Sequence, residues 1–485
     1  EDKLYCSAAG GFGPAMGRPG QGGAGVKVLD LKTMKSSDAP FKGSLLDVQP
    51  STGKALVREG SDMKVVSLKG GRGSEGKVPV DELSIMVDHK KEWKQICDDS
   101  WRITRYYFYV RNMHGRDWQQ VHDKYAALLP YVNHRQDLTY IIGEMIAELN
   151  VGHAYVTTGE VQEAPRLKVG LLGAKFSKVS GGFRIDKIFK GENWSEATRS
   201  PLTEGGLDVN VGDCITAIDG VPVADLTNIY EALVGKAQKV VALQIADAKG
   251  KDARTIYVKT IADESGLAYY EWVQNNIAKV EKATNGEVGY IHIPDMGAAG
   301  LEMFTKLFYT QLDKKALIID DRMNGGGNVS PMIIERLQRV PYRMSMYTTG
   351  YTKPVPNETH YGPKVCLIDK YSSSDGDLFP YSFQKLGLGT VIGRRSWGGI
   401  VGISGSKPFV DGQDMRTPFF TSYSVDEGKW IVEGHGVDPD IDIDINPFDD
   451  YKGIDAQLDK AIEVITKQMK DYKPLPGIPA DPTDK

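Results

Sequence analysis

The chain has 485 residues, of which 41% are hydrophobic and 25% are charged, and its formal net charge is −5. Because one hydrophobic core rarely serves so long a chain, this length predicts about two to four domains. The small negative charge gives no electrostatic reason to expect nucleic acid or an anionic membrane as a partner. No apolar run is long enough to span a bilayer, so we expect no membrane insertion.

The cysteines are sparse, far apart and without a CxxC pair: Cys6, Cys97, Cys214 and Cys366. That spacing disfavours a disulfide framework and a zinc site, and we expect four small, buried apolar residues. The chain begins at Glu1 without an initiating methionine. This start favours a processed and exported protein, or a piece of a longer one, and leaves the compartment open between cytoplasm and periplasm.

Residues 1–80 combine a glycine-rich segment with short strands. The segment 10–25 predicts an irregular loop or spacer. Strands are predicted over 26–29, 54–58 and 64–68, with turn residues between them. Such a β-meander is too small to protect its own edges, so we expect the missing strands to belong to a longer parent chain.

Residues 81–164 have helical periodicity. Asp117 is predicted to cap a helix that carries Trp118, Val121 and Tyr125, and Asp137 is predicted to cap a second helix with an apolar face over 138–149. His153 follows the second helix and leads into a strand-like run. Among the remaining histidines, His292 lies in an apolar strand and is expected to be a satisfied core residue. Those in polar settings are expected at the surface: His89, His114, His122, His134 and His360.

Residues 165–262 resemble a PDZ domain. A glycine-containing apolar loop over 171–174 leads into a strand, a second strand ends in a turn near 219, and a helix is predicted over 225–233. In PDZ domains such a loop offers N–H groups to a peptide carboxylate, and the peptide adds as a strand. The resemblance therefore implies peptide binding at Leu171, Leu172 and Gly173. A role as a mere spacer is the alternative.

Residues 263–475 alternate strands with helices, and residues 476–485 form a tail. Strands are predicted over 288–293, 316–320 and 365–368, and helices near 300–312, 331–339 and 377–386. This order predicts a layered α/β domain in which loops at the strand ends carry the chemistry.

Two segments of this domain suggest acyl transfer. Ser374 lies in a polar turn before a helix, where the helix dipole favours a developing negative charge. About fifty residues upstream, glycines follow a buried strand, and their N–H groups can approach an oxyanion because no Cβ intervenes. Helix capping by the serines and a plain tight turn are the alternatives. A phosphate loop is disfavoured because no Lys-Ser or Lys-Thr pair follows the glycines.

Six motifs in the same order resemble the tricorn family of serine peptidases, which is related to the C-terminal processing peptidases. They lie at 151–155, 169–174, 289–296, 321–327, 374–377 and 432–440. The resemblance implies a multidomain α/β fold. Its parts are a partial β-meander left from a propeller (1–80), a helical domain (81–164), a PDZ-like domain (165–262) and a crotonase-like or ClpP-like α/β catalytic domain (263–475).

The same resemblance implies residue roles. Ser374 is expected to be the nucleophile and His153, brought from the helical domain, the general base. The N–H groups of Gly326 and Asp375 are expected to form the oxyanion hole, and Glu433 to complete the charge relay. The chain would then hydrolyse peptides or unfolded polypeptides without a metal or other cofactor, and a homo-oligomer is expected.

One position departs from the family pattern. The family has a serine before the histidine that links it to the glutamate, and this chain has Gly152. Glu433 then reaches His153 directly, or the link is made by water or by another hydroxyl: Thr157, Ser422 or Ser424. A Ser/Lys dyad, as in the related processing peptidases, is disfavoured because 396–400 contains no lysine and the nearby arginines cannot act as a base.

Two other functions remain as alternatives: a peptide-binding scaffold with an impaired site, and an acyl-CoA enzyme. The segment 342–346 lacks the acid that the family uses for basic P1 side chains, so we expect apolar or small P1 residues.

The segment 438–445 alternates acids with isoleucines and predicts a strand with one acidic face. Calcium binding there is disfavoured because the glycine turn and closing glutamate of an EF-hand are absent.

Overall fold

The computed structural model describes residues 3–7, 26–69, 76–159, 164–247 and 250–480. The predicted spacer at 10–25 lies outside these residues. The chain divides into two compact units, 1–89 and 90–485. In the described part of the chain, no helix is both long and apolar enough to cross a membrane.

The first unit consists of two antiparallel sheets. The predicted strands are confirmed to within two residues, and Val26, Val28, Ala55 and Val57 are buried because alternate side chains of a strand share one face. Four short strands of this unit were not predicted. The two sheets have the orders β1–β2–β3 and β4–β5–β6–β7, formed by β1 (Lys3–Ser7), β2 (Val26–Asp30), β3 (Lys35–Asp38), β4 (Ser44–Gln49), β5 (Lys54–Glu59), β6 (Asp62–Ser67) and β7 (Gly76–Val78).

The second unit begins with three helices: α1 (His89–Tyr107), α2 (Trp118–Ala126) and α3 (Arg135–Ala147). Asp117 caps α2 as predicted, accepting hydrogen bonds from two N–H groups of its first turn. The predicted cap of α3 is wrong. His134 is the N-cap and Asp137 is the third residue of the helix, because the two side chains satisfy each other's backbone N–H groups in a capping box. A two-residue strand, β8 (Tyr155–Val156), follows α3.

The PDZ-like region is an antiparallel sheet of order β14–β13–β11–β10–β9, with β12 beside β11. The helix predicted over 225–233 is only a 3-10 turn, Ile229–Leu233. Asn228 begins it as an N-cap, and Gly235, with φ 71°, follows it in a backbone conformation that favours glycine. The strands are β9 (Ala174–Val179), β10 (Gly182–Ile188), β11 (Cys214–Ile218), β12 (Val221–Pro222), β13 (Val240–Ala246) and β14 (Arg254–Lys259).

The last region is centred on a parallel sheet of order β15–β16–β19–β20–β25, in which β25 is the two-residue strand Ile441–Asp442. Three of its strands are buried over their whole length, as expected for a sheet covered on both faces. In chain order the elements are α4 (Ser265–Ala283), β15 (Val288–His292), α5 (Ala298–Tyr309), β16 (Ala316–Asp320), α6 (Ser330–Leu337), β17 (Arg343–Met346), β18 (Thr352–Val355), β19 (Lys364–Ile368), α7 (Asp375–Lys385) and β20 (Thr390–Gly393).

The segment 402–468 pairs both with β8, which follows the helices α1–α3, and with β20 of the parallel sheet. Its strand β23 pairs with both β22 and β8, so the segment that carries His153 is attached to this region. The strand predicted over 438–445 is shorter than expected, since only Ile441 and Asp442 pair with β20. The elements are β21 (Gly402–Ile403), β22 (Lys407–Pro408), β23 (Asp414–Arg416), β24 (Pro418–Phe420), β25 (Ile441–Asp442), α8 (Pro447–Tyr451) and α9 (Ala456–Gln468).

Two sets of burial predictions are only partly right. His292 is a satisfied core histidine, as expected: its Nε2–H donates to the Arg322 carbonyl and its Nδ1 lies 2.7 Å from the Tyr269 hydroxyl. His360 was expected at the surface but is buried, and burial with the nearby Lys364 lowers its pKa to about 3. Two cysteines are buried, but Cys6 is exposed and Cys214 is half-buried, because both lie on short strands with one open face.

Candidate active site

Ser374 occupies a strained turn between β19 and α7. It is the N-cap of the helix, with φ 59° and ψ −119°, a backbone conformation that residues other than glycine rarely adopt. Its N–H donates to the Asp377 carboxylate at 2.8 Å. Ser372 is buried and braces the turn by donating to the Asp321 carbonyl. The turn therefore places the Ser374 hydroxyl at the positive end of α7, as in the nucleophile elbow of serine hydrolases.

The glycine loop lies directly against this turn. A Cβ on Gly326 would lie 2.5 Å from the Ser374 Cβ, and Gly326 has a φ of 90°. Ser373 also donates its N–H to the carbonyl of Asn324, at 2.8 Å. The two segments that the sequence singled out are therefore adjacent, and the contact requires glycine at position 326.

The two predicted oxyanion donors differ in their surroundings. The Gly326 N–H donates to the side-chain oxygen of Asn324 at 2.9 Å. Asn324 is fully buried, and its amide nitrogen donates to the Ile293 carbonyl and to Asp321. The Asp375 N–H makes no hydrogen bond within the described residues. Only the Asp375 donor is unengaged in this conformation.

His153 is half-buried between α3 and β8. Its Nδ1 lies 2.8 Å from the Tyr155 hydroxyl, and its ring lies 5.2 Å from that of Trp397. Burial lowers the pKa of His153, and the negative charge of Glu433 opposes that shift. Within the described residues no hydrogen bond joins the ring to Ser374.

Glu433 contacts the backbone next to His153. One carboxylate oxygen accepts from the Gly152 N–H at 3.2 Å, and the other accepts from the Ile400 N–H at 2.7 Å. The preceding residue, Val432, has a φ of 63°, which is rare for a β-branched side chain. Glu433 is therefore held rigidly beside the histidine segment and acts on the ring through its charge.

Asp377 connects the serine turn to the histidine segment, a role that the sequence analysis missed. Besides the Ser374 N–H, its buried carboxylate accepts hydrogen bonds from the Ser396 hydroxyl and from the Gly398 N–H at 2.8 Å and the Gly399 N–H at 3.2 Å. Burial raises its pKa, and these hydrogen bonds oppose the shift. Gly399 in turn lies against Gly152. A Cβ added to Gly152 would lie 3.4 Å from the Gly399 Cα. The loop 396–399 thus contacts both predicted catalytic segments.

The hydroxyl beside His153 comes from Tyr155, which the sequence analysis did not consider. Two of the three considered alternatives are engaged elsewhere: Thr157 donates to the Asp414 carbonyl at 3.0 Å, and Ser424 donates to Asp426. Residues two apart on an extended segment point to the same side, and this spacing was the available signal.

The predicted peptide-binding loop leads into β9 of the PDZ-like sheet. The Leu171 N–H donates to the Ile261 carbonyl at 2.8 Å, and Leu172 is fully buried. The Gly173 N–H donates to the carboxylate of Glu264 at 2.7 Å. Leu171 and Gly173 therefore bind Ile261, at the end of the PDZ-like segment, and Glu264, just beyond it.

Three family models match the chain. The Tricorn protease C1 domain matches residues 89–147, the Tricorn protease PDZ domain matches 170–263, and Peptidase family S41 matches 287–443. The PDZ match confirms that part of the sequence prediction.

Relatives cover most of this chain. It is 32% identical over 435 residues to the Tricorn protease of Thermoplasma volcanium, covering 89% of this chain and 42% of that protein. It is 34% identical over 441 residues to Tricorn protease homolog 1 of Streptomyces coelicolor, covering 90% of this chain and 40% of that protein. The solved crystal structure of the tricorn protease superposes with a TM-score of 0.84 at 31% identity, covering 92% of this chain and 43% of that one.

The chain thus spans less than half the length of these relatives. Its mixed α/β fold, its domain matches and its similarity over nine-tenths of its length agree with the family predicted from the six motifs. The chain is therefore a relative of the tricorn proteases, in which a Tricorn C1 domain, a Tricorn PDZ domain and a peptidase family S41 domain follow one another.

Proposed function

We propose that this chain is a serine peptidase that hydrolyses peptides or unfolded polypeptides through an acyl-enzyme at Ser374. The observation that carries the proposal is the strained Ser374 turn, which lies against the glycine loop and is tied through Asp377 to the segment of His153. Strain of this kind persists only where the surrounding structure enforces it, and it is concentrated at functional sites.

His153 is the proposed general base. With its Nδ1–H donating to the Tyr155 oxygen, the Nε2 lone pair is left to accept the proton of the Ser374 hydroxyl. The serine oxygen then forms a bond to the substrate carbonyl carbon, and the imidazolium passes the proton to the leaving amine. Water repeats these steps to release the acyl group. Burial keeps the pKa of His153 low, so the ring is neutral and ready to accept a proton at neutral pH.

The oxyanion formed in this reaction is stabilised at the start of α7. The Asp375 N–H supplies one donor, supported by the helix dipole. The Gly326 N–H supplies the second donor. It binds the oxyanion while it still donates to the side-chain oxygen of Asn324, because the buried Asn324 amide stays in place. Glu433 positions the backbone of Gly152 and stabilises the imidazolium by its charge.

Tyr155→Phe is expected to lower kcat about 3- to 10-fold and to leave KM unchanged, because one neutral hydrogen bond that orients the base is lost. The measurement is steady-state hydrolysis of a fluorogenic peptide across pH. Tyr140→Phe removes the same hydroxyl from an exposed position on α3 and should be neutral. An unchanged kcat and pH profile in Tyr155→Phe would show that the hydroxyl does not orient His153.

Further features of the proposal concern architecture and specificity. The four-stranded meander β4–β7 has the strand number of a propeller blade, which supports a propeller origin for residues 1–80. The domain limits 81–164, 165–262 and 263–475, and a crotonase-like or ClpP-like core in the last of them, are proposed on the element order. The absence of an acid from β17 supports a preference for apolar or small P1 residues.

Exposed aromatic side chains support a homo-oligomer: Phe419, Phe420, Tyr423 and Trp430.

A fluorophosphonate probe tests the proposed function directly. We expect one equivalent of probe to be incorporated, and peptide mass mapping should place it on Ser374, because only a serine with a neighbouring base reacts readily. Heat-unfolded protein is the control and should not be labelled. A folded protein without labelling would favour the peptide-binding scaffold, and a label on another serine would contradict the assignment of Ser374.

A further inference from the structure

The loop at the start of β9 holds an anion that belongs to the chain itself. Glu264, the residue immediately before α4, places one carboxylate oxygen 2.7 Å from the Gly173 N–H. The N–H groups of Gly173, Ala174 and Leu172 together oppose the rise in pKa that burial causes in this carboxylate. Successive backbone N–H groups of this kind capture the peptide carboxylate in PDZ-like recognition.

The site around Glu264 is closely packed. Leu171 and Ile261 exchange backbone hydrogen bonds of 2.8 and 2.9 Å beside it. Leu267, from the first turn of α4, is buried against Phe189 and Ile261. A Cβ added to Gly173 would lie 3.1 Å from Leu267, so the start of α4 is closed over the loop. This packing fixes the position from which the glutamate reaches the N–H groups.

The backbone N–H groups of the Leu172–Ala174 loop are the main groups that stabilise the negative charge of Glu264. Burial raises the pKa of Glu264, hydrogen bonds from the loop N–H groups lower it, and neighbouring Asp263 raises it further. Within the described residues no lysine or arginine forms an ion pair with Glu264. A half-buried carboxylate without a cation needs strong hydrogen-bond donors, and the loop provides them.

The strand that follows the loop has a free edge. In the sheet order β14–β13–β11–β10–β9, the strand β9 is terminal, so one side of its backbone is unpaired in the described sheet. A peptide could therefore add beside β9, with its last residue next to the loop. In this conformation the Glu264 carboxylate occupies the position that the peptide α-carboxylate would take.

We infer that the Leu172–Ala174 loop is a carboxylate-binding site filled by Glu264 of the same chain. It is therefore closed to peptide C-termini, and removal of the Glu264 side chain opens it to a peptide α-carboxylate. The inference goes beyond the proposed peptidase function and holds whether or not Ser374 is catalytic.

The test uses fluorescence anisotropy with the whole chain carrying Ser374→Ala, so that the probe is not cleaved. The probe is a fluorescein-labelled hexapeptide ending in a free leucine carboxylate, compared with the same peptide as a C-terminal amide. Adding Glu264→Ala is expected to tighten binding of the free carboxylate at least about tenfold and to leave binding of the amide unchanged, since a charge-assisted bond contributes about that much. Equal binding with and without Glu264→Ala would overturn the inference.

Glu281→Ala is the matched control. It removes the same charge from within α4, where Glu281 pairs at 3.5 Å with Lys314, and it should not change peptide binding. A gain with Glu281→Ala equal to that with Glu264→Ala would assign the effect to net charge and overturn the inference.

If Glu264→Ala does not fold, a second variant keeps the inference testable. Glu264→Gln keeps the side-chain length and one acceptor oxygen but removes the charge, so it should open the site to the free carboxylate to a smaller extent. Amide hydrogen exchange gives an independent readout, in which the Gly173 N–H should exchange faster in the folded variant. No gain in binding together with unchanged exchange would overturn the inference.

Discussion

Ser374→Ala is expected to lower kcat/KM for peptide hydrolysis by about 10⁴- to 10⁶-fold, the range found when the nucleophile of a serine hydrolase is removed. The physical reason is the loss of the Ser374 hydroxyl, which the strained turn places at the start of α7, next to the glycine loop. Binding and the oxyanion donors remain, so a small residual rate above that in water is expected. The measurement is hydrolysis of fluorogenic peptides, with labelling by the fluorophosphonate probe in parallel.

Ser382→Ala is the control for this prediction. It makes the same substitution within α7 but away from the turn, and it should keep full activity. The melting temperature of both variants should show that they are folded. Undiminished hydrolysis or undiminished labelling in Ser374→Ala would contradict the assignment of the nucleophile.

His153→Ala is expected to reduce kcat by about 10⁴- to 10⁶-fold as well, because a serine without a base is a poor nucleophile. His435→Ala is the matched control, since His435 is exposed, lies 2.7 Å from Asp438 and has no place in the proposed mechanism. A comparable loss in both variants would point to a general effect of histidine removal rather than to a specific base.

The pH profile gives a second readout of the same assignment. The base must be neutral, so kcat/KM is expected to be full above the His153 pKa and to fall as the pH drops through it. Because burial lowers this pKa below its ordinary value of 6.5, activity should persist below pH 6.5. Glu433 raises the pKa of His153, so Glu433→Gln should shift the acidic limb to lower pH while lowering kcat. A limb that moves to higher pH in Glu433→Gln would contradict the proposed effect of Glu433.

The outcome for individual elements shows which sequence signals are reliable. The buried parallel strands were predictable because β16 and β19 are apolar over nearly their whole length and lie between loops. The cap at Asp117 followed from a local pattern and is confirmed. Asp137 has the same residue type in a similar place but lies inside the helix, because His134 provided a competing cap. At the start of α3, two competing local signals therefore misled the prediction.

The sequence by itself determined the local elements, because glycine loops, capping patterns and apolar periodicity act over a few neighbouring positions. Its six motifs indicated the family by resemblance, and that resemblance in turn implied the domains and the candidate residues. Only the tertiary structure decided the partners of those residues. Glu433 meets Gly152 across 281 positions of the chain, and Glu264 fills the PDZ-like loop from 91 positions away. Such contacts depend on how separate elements pack against one another, and no local pattern of residues encodes that packing.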